Sequence, residues 1–351
     1  MDSLQQLKHK CITTLKTPTP QINCLAVHNS LLYAASVNEI NVFDLSNYTH
    51  INTFTTNSPT SGSIKSIAFH NTKVFTAHQD CKIRVWQVSH SSSKELHLVH
   101  TLPTVKDRLC NFLLPQNYVN VRRHKKRLWI EHWDTVSGLA MHGGLMYSVS
   151  WDKSLKIWDV NNNRCLESVL AHQDAVNTVA ISDKGTVYTG SADGLIRVWK
   201  KVGRQRKHSL VTTLEKHKST VNALALNGDG SVLFSGGCDR SIMVWERKED
   251  VDEHGNEHNQ MVFVEALCGH AGAILCLMNV GYLIVSGSSD QTVRVWQQYG
   301  KKNGYCCMVV LEGHERPVKS LVAASNNGLS LSICSGSLDG EIKVWEISAQ
   351  T

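Results

Sequence analysis

Serine, histidine and aspartate recur along this chain in sets that could build a hydrolase. His132, Ser148 and Asp152 form one set, and His172, Thr189 and Asp193 the next. Three more follow: His217, Ser235 and Asp239; His270, Ser286 and Asp290; His314, Ser335 and Asp339. In a catalytic triad the hydroxyl attacks, the imidazole takes its proton and the carboxylate orients the imidazole. A triad is needed once, whereas this one recurs at a fixed spacing. Each set also has a tryptophan six residues after its aspartate: Trp158, Trp199, Trp245, Trp296 and Trp345. The expected role is structural. A buried aspartate accepts from the histidine ring, the histidine bonds the hydroxyl, and the hydroxyl reaches the indole. Each buried polar group then has a partner, as burial requires.

Other chemistry finds little footing. His254 and His258 stand four apart on a polar, glycine-containing stretch rather than a helix, so no zinc site is expected. Cys306 and Cys307 are neighbours on a strand-like segment and point to opposite faces. The chain has no phosphate loop, dinucleotide glycine fingerprint or Cys-x-x-Cys pair. No cofactor, no metal and no enzymatic activity are expected.

The 351 residues are 42% hydrophobic and 19% charged, with a net charge of +6. That is a folded-protein composition, and the mild positive charge does not call for nucleic acid. No stretch matches a membrane span, and the polar residues from Met1 to Lys10 do not resemble a secretory signal. Asn47-Tyr48-Thr49 is therefore expected to stay unglycosylated. The eleven scattered cysteines suggest reduced, mostly buried thiols in the cytosol or nucleus.

Short alternating apolar runs, such as Val176 to Ile181, separate the motif residues, with Gly, Asn and Asp turns between them. These are strands. No helical period of useful length is present. Several strands in each unit of 40 to 50 residues mark the blades of a β-propeller. Two early units are weaker. One keeps Thr76, Asp80 and Trp86 but lacks a histidine near Thr60. The first survives as Val37 to Asp44, with Phe43 in the tryptophan place and Val37 in the aspartate place.

Gly269-His270 with Ser286, Asp290 and Trp296, and Gly313-His314 with Ser335, Asp339 and Trp345, resemble the structural tetrad of WD40-repeat proteins. The expected fold is all-β, a single closed seven-bladed propeller covering residues 1–351. The last unit lacks a fourth strand. Cys11 to Leu15 resembles the linkers before other units and is expected to pair beside Glu341 to Glu346, leaving no open seam.

Three tryptophans stand outside the repeat: Trp129, Trp133 and Trp151. They adjoin an insertion, 103–131, between blades two and three, which contains Arg122, Arg123, Lys125, Lys126 and Arg127. In propellers of the family resembled, loops entering a first strand lie on the top face, as does the turn carrying Trp151. Tryptophan and arginine are enriched at protein-binding hot spots. Trp151 and these five basic residues are therefore the candidate partner-binding surface, with Trp129 and Trp133 as anchors or contributors. The basic run also fits a nuclear-import patch. No Phe-Arg-Arg-Gly of the phosphoinositide-binding kind is present.

The segment Leu109 to Val119, the basic run, and Ile130 to Asp134 together resemble plant WD40 proteins of the JINGUBANG type. That resemblance implies a plant regulatory adaptor, cytoplasmic and nuclear, without enzymatic activity; separately, the partners are expected to be other proteins and the ring monomeric. Two alternatives remain. Trp245-Glu246-Arg247-Lys248 partly fits the Trp-Asp-x-Arg of ubiquitin-ligase substrate receptors, and the basic insertion could serve an anionic ligand or nucleic acid. The basic segment 200–207 and the mainly acidic 247–258 are expected as solubilising loops on the bottom face.

Overall fold

The structure is a computed structural model that describes residues 7–55, 61–88, 96–122, 125–201, 207–251, 257–299, 304–326 and 330–349. Arg123, His124, Thr60, His254 and the central part of segment 200–207 lie outside these residues.

Seven antiparallel sheets of four strands make up the ring. Blade one runs from Cys24–His28 to His50–Thr55, and blade two from Ile64–His70 to Leu96–Leu102. Blade three comprises Val136–His142, Leu145–Ser150, Ser154–Asp159 and Arg164–Leu170. The first strand of each blade touches the first strands of its two neighbours, and that of blade seven touches that of blade one. The circle of inner strands is thus complete.

Closure uses both ends of the chain. Leu7–Lys16 pairs with Glu341–Ala349, with Cys11 opposite Trp345 and Leu15 opposite Ile342. The paired strand is longer at both ends than the sequence suggests. The adjoining seam is tightened by Gly336. A Cβ there would lie 2.5 Å from Cγ2 of Ile22, so only glycine lets blade one approach this closely. The Ile22 amide then donates to the Ser337 carbonyl at 3.0 Å.

Alternation along the strands fills the wedges between blades. Phe75 and Val85 of blade two pack with Met146 and Trp158 of blade three, and Leu128 and Ile130 from the insertion complete that wedge. Burial of each such side chain contributes about 1.5–3 kcal/mol. The degenerate first blade is a full sheet. Tyr33 stands where a tetrad hydroxyl would be, and Tyr33 and Phe43 are both buried.

Two expectations are corrected. The insertion contains a helix, α1, Val105–Phe112, that the absence of helical period did not suggest. It is capped by Thr104, whose hydroxyl accepts the Asp107 amide at 3.1 Å. The eleven cysteines are free, but only Cys165 and Cys334 are buried; Cys11, Cys110, Cys238 and Cys268 are exposed. Strand-like position alone does not bury a side chain on an outer strand with one face to water.

Candidate partner-binding site

Five blades carry the same polar chain. His Nδ1 lies 2.8–3.0 Å from the carboxylates of Asp152, Asp193, Asp239, Asp290 and Asp339. His Nε2 lies 2.8 Å from the hydroxyls of Ser148, Thr189, Ser235, Ser286 and Ser335. The indoles of Trp158, Trp199, Trp245, Trp296 and Trp345 donate to those hydroxyls at 2.8–3.0 Å. The polarity follows from donor count. An indole can only donate, so the hydroxyl accepts from it and gives its own proton to Nε2. Nδ1 then carries the ring proton and donates to the carboxylate.

Electrostatics agree with this assignment. Burial pushes His132, His172, His270 and His314 below the usual imidazole range, although each faces a carboxylate. Burial raises the Asp290 carboxyl, but hydrogen bonds from Thr292 and His270 outweigh it and hold the group at about 2. The distances are those of a working triad, yet all five hydroxyl-bearing residues are fully buried. A substrate has no access to them, and the hydroxyls are engaged by indoles.

Blade two divides the missing histidine's task between two residues. His78, on the second strand, has Nε2 2.7 Å from the Thr76 hydroxyl, which accepts from Trp86 at 2.8 Å. Arg84 meets Asp80 with two parallel bonds, at 3.1 and 2.7 Å. Burial, reinforced by the Arg84 charge and opposed by Asp80, lowers His78 to about 3.

The insertion is tied along the outer edge of blade three. Asp107 of α1 is buried, and its carboxylate accepts the Cys165 amide at 3.3 Å. Asn111 accepts from the Trp129 indole at 3.2 Å, and Arg108 pairs with Glu131 at 3.2 Å. A hairpin of Tyr118–Arg122 and Lys125–Leu128 follows the helix. Trp129 therefore anchors helix to hairpin, and its carbonyl accepts from the buried Lys156 ammonium at 2.5 Å.

The placement of the whole insertion on the top face is corrected by this geometry. Cys165 begins the outer strand of blade three at the bottom of the ring, so α1 lies low. The hairpin lies at the other end. Val119, Trp129, Trp133 and Leu170 line a groove of about 530 Å³ there. Contacts to Cys165 at 3.3 Å and Arg164 at 3.9 Å at one end, and to Lys156 at 2.5 Å at the other, hold the segment against the rim.

Trp151 sits on the turn between the second and third strands of blade three, 40% exposed. The cation over its ring, at 5.9 Å from the centroid, is Lys65 from the inner strand of blade two. Partial burial and the charge of Lys319, on the inner strand of blade seven, lower the Lys65 ammonium. Lys65 and Lys319 thus flank the upper mouth of the ring. Sequence reasoning missed both, because their relation to Trp151 crosses blades. Lys125 and Lys126 are exposed on the hairpin, and Arg127 is half-buried. Burial raises the Cys81 thiol, on the top turn of blade two, and the nearby Arg127 charge partly opposes the rise. Arg122 belongs to the hairpin strand. The structure therefore puts the hairpin near the top rim and Trp151 nearer the axis.

Among the described residues no helix is long and apolar enough to cross a membrane, and no cluster of His, Cys, Asp or Glu is arranged for a metal ion.

Comparisons with known proteins accord with this architecture. The chain is 30% identical over 168 residues to zinc finger CCCH domain-containing protein 62 of Arabidopsis thaliana, covering 47% of this chain and 37% of that one. It is 26% identical over 210 residues to cell division control protein 4 of Saccharomyces cerevisiae, covering 56% of this chain and 26% of the relative. A CCR4-associated factor 4 homolog of Candida glabrata is 31% identical over 132 residues, covering 37% and 22% of the two chains. These matches span well under half of the relatives' own lengths. The family model described as WD domain, G-beta repeat, matches residues 124–159, 163–200, 208–246, 261–297 and 305–346, more than half of the chain. With the tetrads and the closed ring of seven sheets, the match shows that the chain belongs to the WD40-repeat family.

Proposed function

We propose that this protein is a non-enzymatic scaffold, a plant regulatory adaptor that gathers signalling or transcriptional partners in the cytoplasm and nucleus. It acts as a monomeric ring. Its principal partner surface comprises Trp151, at the top of blade three, and the insertion residues Arg122, Arg123, Lys125, Lys126 and Arg127. The observation that carries this reading is the exposed indole of Trp151. The equivalent turns hold Gln79, Ala192, Cys238, Ser289 and Leu338. No tetrad explains a tryptophan there, and an exposed indole beside cations suits an acidic partner with an apolar anchor.

The scaffold reading, as distinct from the top surface, draws separate support from α1 at the low end of the insertion. Leu109 and Phe112 are 66% and 60% exposed, while Asp107 is buried against the ring. The helix shows its apolar side to solvent, as interaction surfaces do.

Affinity capture from plant tissue with the wild type, Trp151→Ala and a variant neutralised at the five basic positions tests the proposal. Loss of a shared set of captured proteins from both folded variants is expected. Capture of ubiquitin-ligase adaptors would favour the receptor alternative. Steeply salt-dependent gel shifts would favour nucleic acid. Arg247, on which the receptor alternative draws, donates to the Gly230 carbonyl at 2.7 Å.

A further inference from the structure

The bottom face has a pocket of about 440 Å³ where blades three, four and five meet. His142 contributes from the first turn of blade three and Lys184 from that of blade four. Lys200 and Lys201 end the third strand of blade four, and Arg247 lies on the third strand of blade five. Lys184, Lys200, Lys201 and Arg247 come from a turn and a strand of blade four and a strand of blade five. The fold gathers them, and no single basic run accounts for them.

Among the described residues no carboxylate lines this pocket. Glu167 lies behind its wall and is already engaged. It accepts from His208 Nδ1 at 2.9 Å and from the His208 amide at 2.9 and 3.1 Å. The other ring nitrogen of His208 is 3.2 Å from the Tyr147 hydroxyl. Arg247 bonds the Gly230 carbonyl and the Tyr188 hydroxyl, neither of which neutralises it. Partial burial and the neighbouring charges of Arg247 and Lys184 push the Lys200 ammonium below the usual lysine range. Like charges held together in a concavity focus a positive field that an anion relieves.

We propose that this pocket binds a small anion carrying two or more phosphate groups. Its volume falls within the roughly 300–1,000 Å³ of small-ligand sites. The four Lys and Arg side chains come from blades four and five, with His142 of blade three beside them, and linked phosphates can engage them separately. Arginine offers a planar fork for phosphate oxygens, and the lysines supply mobile point charges. The site is on the opposite face from the top of blade three and shares no residue with the partner surface.

Isothermal titration of the full chain with pyrophosphate, inositol hexakisphosphate and inorganic phosphate tests this. Both polyphosphates are expected to bind more tightly than inorganic phosphate, with affinity falling as salt rises. Lys184→Gln/Lys200→Gln should weaken polyphosphate binding by about tenfold per lysine. Lys125→Gln/Lys126→Gln, on the hairpin, should leave it unchanged. If the pocket double variant melts lower than wild type, the single substitution of exposed Lys201→Gln serves as the second probe and should still weaken binding. Absence of polyphosphate binding at low salt overturns the proposal. So does unchanged binding by a folded pocket variant, or equal loss in the hairpin variant.

Discussion

Arg84 holds Asp80 through two parallel hydrogen bonds, of 3.1 and 2.7 Å, in the one tryptophan-bearing blade that lacks the recurrent histidine. The Arg84 side chain is 6% exposed and that of Asp80 15%. Removing one member leaves a buried charge without its partner, at a cost of about 3–5 kcal/mol. Asp80→Ala should lower unfolding stability in urea by this amount. The double variant Asp80→Leu/Arg84→Met should recover much of it. A single-variant loss within 0.5 kcal/mol, about that of an ordinary surface substitution, would mean that the pair does not replace the histidine.

His270→Ala removes the partner of both Asp290 and Ser286. The expected loss is about 1–3 kcal/mol. An unchanged melting temperature would contradict the polar chain in blade six.

Stability should depend on pH through the buried imidazoles. His78 is lowered to about 3, against 6.5 for the ordinary group. Between those values the unfolded chain binds a proton that the folded chain does not. The contribution is therefore complete above pH 6.5 and is lost as pH falls towards 3, by up to about 1.4 kcal/mol per pH unit. His132, His172, His270 and His314 act in the same direction. Melting temperatures between pH 8 and 5 should fall with acidification, and His78→Gln should flatten the slope. A flat wild-type profile would contradict this.

The insertion should loosen independently of the ring. Asp107→Ala removes the acceptor for the Cys165 amide and leaves the blade sheets intact. Limited proteolysis should then cut within 103–131 faster than in the wild type, with a similar global melting temperature. Equal cleavage rates would show that Asp107 does not hold α1.

The tetrads were legible because a tight turn fixes the distance from Asp152 to Trp158 and from its counterparts to theirs. The same periodicity made the ring and its shared last blade readable, since Cys11 to Leu15 matches linkers elsewhere. Arg84 and His78 were not readable, because each fills the role from a position that serves another purpose in neighbouring blades. Helix α1 had a cap signal in Thr104 and Asp107, but its exposed Leu109 and Phe112 give no core-facing period. The approach of Lys65 to Trp151 joins two blades, and no local spacing encodes it.

Partner binding at the top of blade three is open to the most direct test. Quantitative affinity capture should compare wild type, Trp151→Ala and a variant neutralised at Arg122, Arg123, Lys125, Lys126 and Arg127, each shown by melting to be folded. Depletion of the same partner proteins in both variants is the predicted result. Undiminished capture by both would place the interaction elsewhere on the ring and contradict the account.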